Sequence, residues 1–487
     1  MAVAYNFKRG IDAPSWQWLS FHPQGVSNPG TSNCYDGKRY MYWIVQSGTT
    51  AAGTASTTQL WRYCTWTNGW QLLTAITSGN QGMDIEYDPT RNCLYIMHGA
   101  ALTSWQVFNL NTTNIVIANT TCTPWNAVTV GVVLPATAGV GASITLPTDK
   151  DVIPQIDTGI VDTTGNTTSV IKATDATGTF ALGMVGLQVR ITSGTLSGTR
   201  GVITAVTDKN TFTVSPALSS PLVAGVTFVI EQVEDTATAG TVSTLVDGTA
   251  AWTVNMYANM DVIITGGTGA GQRRRIASNT ATTLTLAATV TGNANTGNFA
   301  TAPAAGSTFK IVPSGDFLYY QNGGNNGTFY KLDVSQTGTA PTWTTLAAAP
   351  AGLQGGANTM FPGSYAPYSI VAVRGNGTTN LYHYNIGLNT WSTYTTFWGQ
   401  ETLNTGASVS MMHGQRKLFI QKDGQARCYT HDFLTGQLEP AGVMPYANPV
   451  AYDGKRSRYV VTPDGVQWIY VLRAGGQEFY RMPVEWL

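Results

Sequence analysis

Short apolar runs alternate with threonine, glycine and asparagine along the whole chain, and their period of two predicts strands throughout. The clearest unit follows Gly355-Gly356-Ala357. An apolar run at 368–373 leads through Arg374-Gly375-Asn376-Gly377 into Leu381-Tyr382-His383-Tyr384-Asn385, and then into Asn389-Thr390-Trp391-Ser392-Thr393-Tyr394. The same template returns at 40–45, 60–63 and 68–72; at 93–97 and 105–110; at 317–320, 328–333 and 343–346; at 417–420 and 426–430; and at 459–461 and 478–482. The repeat is roughly 40 residues long, the length of a four-stranded propeller blade. The pattern therefore predicts an all-β fold built on a six-bladed β-propeller. The last copy has little room for an outer strand before Trp486-Leu487, whereas Trp16-Gln17-Trp18-Leu19-Ser20-Phe21 has strand character and no copy of its own. This N-terminal segment is expected to complete blade six and close the ring, which removes an open edge.

A small-residue inner strand, an apolar strand, a Leu-Tyr-x-Tyr-Asn strand and an outer strand carrying Trp391 together resemble the kelch blade. The resemblance implies a rigid disk and leaves function open, because propellers host many functions. Gly82, Gly141-Ala142-Ser143, Gly356-Ala357-Asn358 and Gly406-Ala407-Ser408 precede inner strands. Crowding around a propeller axis explains these small residues better than a phosphate loop does.

The third copy is broken. Its inner strand falls at 141–145 and its next strand at 317, so about 165 residues intervene, far too many for a structureless loop. Within them a unit repeats at about 73 residues. Leu187-Gln188-Val189-Arg190-Ile191-Thr192-Ser193-Gly194 and Gly198-Thr199-Arg200-Gly201-Val202-Ile203 answer Met260-Asp261-Val262-Ile263-Ile264-Thr265-Gly266-Gly267 and Gly271-Gln272-Arg273-Arg274-Arg275-Ile276. Residues 210–214 answer 282–286, and 225–230 answer 306–311. The expected organisation is a first propeller part at 1–150, two inserted small barrel or sandwich domains at 151–234 and 235–312, and a second propeller part at 313–487.

Charge changes this picture little. Lysine and arginine number 26 against 26 acidic residues, and charged residues are 11% of the chain, so no global field attracts nucleic acid or anionic membrane. A local basic patch is compatible with that neutral total. The five cysteines, Cys34, Cys64, Cys93, Cys122 and Cys428, are odd in number and lack CxxC spacing, which predicts buried free thiols rather than disulfides or zinc ligands. Residues 1–10 lack an apolar h-region and no apolar stretch reaches spanning length, so neither a classical export signal nor a membrane segment is expected. Asn111 and Asn326 fit glycosylation sequons, which chance explains in a threonine-rich chain without a secretion signal.

Candidate chemistry is sparse. His22, His98, His383, His413 and His431 are dispersed, and no metal or other cofactor is expected, a copper site of the galactose oxidase kind included. Thr462-Pro463-Asp464-Gly465-Val466-Gln467-Trp468 faintly resembles a sialidase Asp box, but a Pro-Asp-Gly turn accounts for it. Asp84 and Glu86 lie one strand period apart, a spacing open to glycosidase acid and base; solvent-facing positions on a strand edge are the preferred reading. Trp66, Trp391 and Trp398 are candidates for stacking on sugars, although the kelch template assigns Trp391 and Trp70 to packing between blades. Arg273 and Arg275 share one strand face and are candidate subunit contacts, with local pairing as the alternative. No catalytic residue is assigned, and the chain is expected not to be an enzyme.

The second inserted unit, through Gly266 to Ile276 and Ala305-Gly306-Ser307-Thr308-Phe309-Lys310-Ile311, resembles a module of tailed-bacteriophage virion proteins. The first unit departs from it, with Gly201 at the place of Arg274. A propeller carrying such a module resembles tail nozzle or hub proteins. That resemblance implies a virion structural component assembled in the bacterial cytoplasm, a homo-oligomeric ring, commonly hexameric, contacting tail, adaptor or fibre subunits around passing DNA. Alternatives are a peripheral collar, decoration or host-glycan-binding adhesin, and a propeller glycosidase or lyase.

Overall fold

The computed structural model describes residues 16–23, 30–47, 57–77, 79, 81–99, 102–149, 155–174, 182–338, 340–394, 402–413, 415–433, 436–447, 455–473 and 475–484. Among them the chain is all-β and propeller-like, with no α-helix and with short 3-10 turns such as Leu182–Met184 and Gly363–Tyr365.

Six antiparallel four-stranded sheets recur. The first holds Ser32–Tyr35, Tyr40–Ser47, Thr57–Cys64 and Gly69–Ile76; the second holds Asp84–Asp88, Cys93–Met97, Trp105–Asn109 and Ala127–Thr129. The third joins Ser143–Thr145 to Phe317–Gly323, Asn326–Asp333 and Thr344–Thr345. Asn358–Met360, Ser369–Val373, Leu381–Asn385 and Thr390–Tyr394 form the fourth, and Ser408–Met412, Lys417–Gln421, Arg427–Asp432 and Leu438–Val443 the fifth. The sixth runs Ser457–Val461, Gln467–Leu472, Phe479–Pro483 and ends on Gln17–Trp18, whose register is Gln17 opposite Arg481 and Trp18 opposite Tyr480.

Strand alternation builds the contacts between sheets. On Tyr40–Ser47, Met41, Trp43 and Val45 pack against Val460, Tyr470, Leu472 and Phe479 of the sixth sheet. Tyr42 and Ile44, on the opposite face, pack against Ile85, Leu94, Ile96 and Phe108 of the second. A turn device recurs too. Tyr63, Tyr87 and Tyr384 each donate a hydroxyl hydrogen bond to the side-chain oxygen of the asparagine five residues on, at 2.7, 3.1 and 2.8 Å. Those asparagines, Asn68, Asn92 and Asn389, hold φ of 52°, 49° and 53°. Asparagine tolerates this left-handed region, and the tyrosine fixes the side chain that helps it do so.

Between Thr145 and Phe317 the chain forms two larger sheets. In the six-stranded one, Thr227–Glu231, Gln188–Ile191, Arg200–Asp208 and Thr211–Ser215 are neighbours; in the seven-stranded one, Thr308–Pro313, Met260–Gly266, Arg273–Asn279 and Thr283–Leu286 repeat that order. Neither forms a fully laddered barrel among the described residues. The six-stranded sheet curls until Val161 and Ala173, beside its edge strands, meet in an isolated bridge. Nor do the two sheets project as an arm. Ile230, Tyr257, Phe309 and Ile311 share one apolar core with Tyr365, Tyr368, Leu381 and Phe433 of the fourth and fifth sheets. Tyr368 Oη donates to Ile311 O at 3.1 Å and accepts from Val233 N at 3.3 Å. The large apolar area buried there is why the segment lies against the disk.

Candidate functional site

The first strands of the six small sheets touch in cyclic order around an axis. Their alternation points small polar side chains sideways into the neighbouring strand, and these hydrogen bonds run through every junction. Asp84 is fully buried and accepts from Ser32 Oγ at 2.8 Å, from Ile144 N at 2.8 Å and from Lys455 Nζ at 2.6 Å. Ser143 Oγ lies 2.6 Å from Thr359 Oγ1 and accepts from Thr359 N at 3.0 Å. Asn358 Nδ2 donates to Val409 O at 3.3 Å, and Ser408 Oγ meets Ser457 Oγ at 2.9 Å. Asn33 Nδ2 reaches Lys455 O at 2.5 Å and returns the circuit to its start. Serine, threonine and asparagine are small enough to crowd the axis and polar enough to satisfy one another there.

This placement corrects the solvent-facing position expected for Asp84, whereas Glu86 is half-buried on the same edge strand. Both sit on an inner strand of the ring, where Asp84 is held by donors from two other strands and from Lys455, just before Ser457–Val461, and Glu86 lines the mouth of the axis. Two cavities along the axis measure about 40 and 20 Å³, room for a water or two. At one end it opens into a cavity of about 500 Å³ bordered by Tyr35, Lys38, Glu86, Tyr87, His413 and Arg458.

A second polar cluster locks the seven-stranded sheet to the ring. Arg275 is 5% exposed and pairs with Asp316 at 2.8 Å and Asp333 at 2.5 Å. Asp316 also receives Arg91 of the second sheet and Asn293 Nδ2, the latter at 2.8 Å. Arg273 pairs with Asp261 at 2.5 Å and Asp149 at 2.9 Å. Burial pushes the Asp261 carboxyl up to about 7 against the opposing pull of Arg273. The shared face of Arg273 and Arg275 thus turns towards carboxylates of the same chain. In the repeat, the place of Arg275 is taken by Val202, which is buried in the apolar core.

Other candidates resolve individually. Trp391 donates to Ala347 O at 2.8 Å and packs on Phe329, while Trp70 packs on Tyr63 and Phe479; both fill space between sheets. Trp66 is 61% exposed, and Trp398 lies outside the described residues. Asp464 sits in a turn closed by Gly465 N to Thr462 O at 2.8 Å. All five cysteines are free and buried. His22 packs on Trp61 and Trp70, His98 bonds Ser104 and Gln106, and His383 and His431 surround Phe433. Among the described residues no three His, Cys, Asp or Glu side chains gather as a metal site. No described helix is long and apolar enough to cross a membrane. The hydrogen-bonded circuit and the Asp316 junction have no local sequence signal, since their members are separated by up to 422 positions.

No known protein family matches the chain, and no curated protein matches it. Similar solved structures include a copper complex of a fungal alcohol oxidase, at TM-score 0.40 and 11% identity over 97% of this chain and 76% of that one. A fucose-specific lectin from Aleuria aurantia matches at TM-score 0.39 and 8% identity over 94% of this chain and 93% of that one. A chain of the mitotic checkpoint complex matches at TM-score 0.37 and 8% identity over 99% of both. The all-β, propeller-like layout of this chain rests on its own six four-stranded sheets. The expectation that the chain is not an enzyme is withdrawn, since one of these neighbours is an alcohol oxidase.

Proposed function

We propose that the six small sheets are blades of one propeller, that residues 151–234 and 235–312 are two inserted domains, and that the chain is a ring-forming structural subunit of a tailed-bacteriophage virion, at the tail nozzle or hub. The observation that carries this reading is the docking of the second module. The segment with the phage-type pattern, Gly266 to Ile276, is the one that supplies Arg275 to the buried Asp316 and Asp333 at the third small sheet and Arg273 to Asp149. A module fastened in this way turns disk and insert into one stiff body, suited to bear load between neighbours. The axis of a single chain holds cavities of only about 40 and 20 Å³, so a DNA path in such a particle runs through the lumen between subunits. A cryo-electron-microscopy reconstruction of purified particles tests the proposal. Density for this chain in a symmetric ring around the distal tail channel is the expected result; peripheral density, or absence from particles, rejects it.

A further inference from the structure

A ladder of rings and guanidiniums crosses the rim of the first two sheets. Trp66, in the turn between Thr57–Cys64 and Gly69–Ile76, is 61% exposed, and Trp125, just before Ala127–Thr129, is 45% exposed. Between them, Arg39 Cζ lies 4.9 Å from the Trp66 ring centroid and 5.4 Å from that of Tyr40. Arg62 Cζ lies 4.6 Å from Tyr40 and 5.4 Å from Trp125. The stripe continues past Trp66 to the closing strand, where Ser20 N donates to Asn68 Oδ1 at 3.0 Å and Trp18 and Phe21 stand exposed.

Two properties separate this patch from ordinary surface. Two exposed tryptophans linked through stacked guanidiniums are more than singly scattered apolar residues. The cations in it also lack carboxylates. Arg39 and Arg62 form no ion pair among the described residues, as is also true of Arg274, but here the unpaired guanidiniums lie on exposed indole rings. Each spends only Nε inside the chain, on Cys64 Sγ at 3.3 Å and Gln71 Oε1 at 2.7 Å, which leaves the terminal amino groups for an outside acceptor.

We propose that this ladder binds an acidic polysaccharide, with sugar faces stacked on the exposed Trp66 and Trp125 and uronate carboxylates on Arg39 and Arg62, between which Tyr40 lies. The ligand has to combine flat apolar faces with widely spaced negative charge. A single-stranded nucleic acid offers the faces but carries a phosphate at every nucleotide, and its binders line the path with more cations than the two guanidiniums of this ladder. The inference is independent of where the chain sits in a particle.

Native gels cast with polygalacturonate, alginate or neutral dextran test it on the full chain. The wild type is slowed by both acidic polymers and not by dextran. Trp66→Ala, Trp125→Ala and Arg62→Gln each weaken the retardation about tenfold, the effect of losing one stacked or charge-assisted contact. Unchanged melting temperatures show that these surface variants remain folded. Equal migration in all three gels overturns the proposal, as does tighter binding of oligo(dT) than of either acidic polymer. Self-association that Trp66→Ala abolishes, measured by sedimentation, also overturns it and makes the ladder a subunit interface.

Discussion

Lys455 Nζ lies 2.6 Å from Asp84 Oδ2, joining strands that are 371 positions apart in the chain. Asp84 is fully buried, and it also holds Ser32 and the Ile144 amide. Replacing it with alanine leaves Lys455 without its carboxylate and two donors without an acceptor. Asp84→Ala is expected to lower stability by about 3–5 kcal/mol, read from the denaturant midpoint, and Asp84→Asn by less. A loss below about 1 kcal/mol would remove the axial circuit from the interactions that hold the ring.

Arg275 invites a substitution taken from the chain itself, since the first repeat carries Val202 at that place. Arg275→Val leaves Asp333 buried without its cation and Asp316 with Arg91 as its remaining ion pair. It is expected to destabilise by about 3–5 kcal/mol and to raise amide exchange first around residues 290–296 and 314–335. Uniform exchange with an unchanged melting temperature would show that apolar contacts alone fasten the module.

Acid is expected to unfold the protein through two histidines. Burial lowers His383 from 6.5 to about 4 and His431 from 6.5 to about 3. With folded values below the unfolded one, each adds stability that is complete above pH 6.5 and is lost as pH falls towards the folded values. The slope is about 1.4 kcal/mol per pH unit for each histidine. Melting temperature measured from pH 7 to 4 should drop along this course, and the His383→Gln/His431→Gln double variant should follow a flatter one. Parallel profiles would refute the assignment.

Cys64 should be the most reactive thiol. Burial pushes it up, but hydrogen bonds from Thr67 and Arg39 outweigh burial and bring it down to about 7. Burial raises Cys122 to about 11 and holds Cys34, Cys93 and Cys428 well above the usual thiol range. Iodoacetamide at pH 8, read by mass spectrometry, should modify Cys64 first, and Arg39→Ala should slow that reaction. Faster labelling of any other cysteine would contradict this.

Local pattern carried the strands and failed at the axis. The Leu381–Asn385 strand and its partners are readable because alternation and asparagine turns are properties of neighbouring residues. The correspondence between Met260–Gly266 and Gln188–Ile191 is readable for the same reason. Asp84 looked like a surface residue because a period of two gives a strand two faces without saying which one meets a lysine from the far end of the chain. Trp66 and Trp391 look alike in sequence, yet one stands at a turn in solvent and the other reaches Ala347 across a junction between sheets. The exposure that makes Trp66 interesting is a property of the assembled ring.

The pairing of Gln17 with Arg481 also sets a clock for biosynthesis. The two residues are 464 positions apart, and ribosomes add about 5–20 residues per second, so the first strand waits on the order of 20 to 90 s for its partner. Throughout that interval Trp43 and Tyr63 lack the cover that Tyr470 and Phe479 later supply. The nascent chain therefore carries an uncovered aromatic face from the making of the first sheet until the sixth has emerged to cover it.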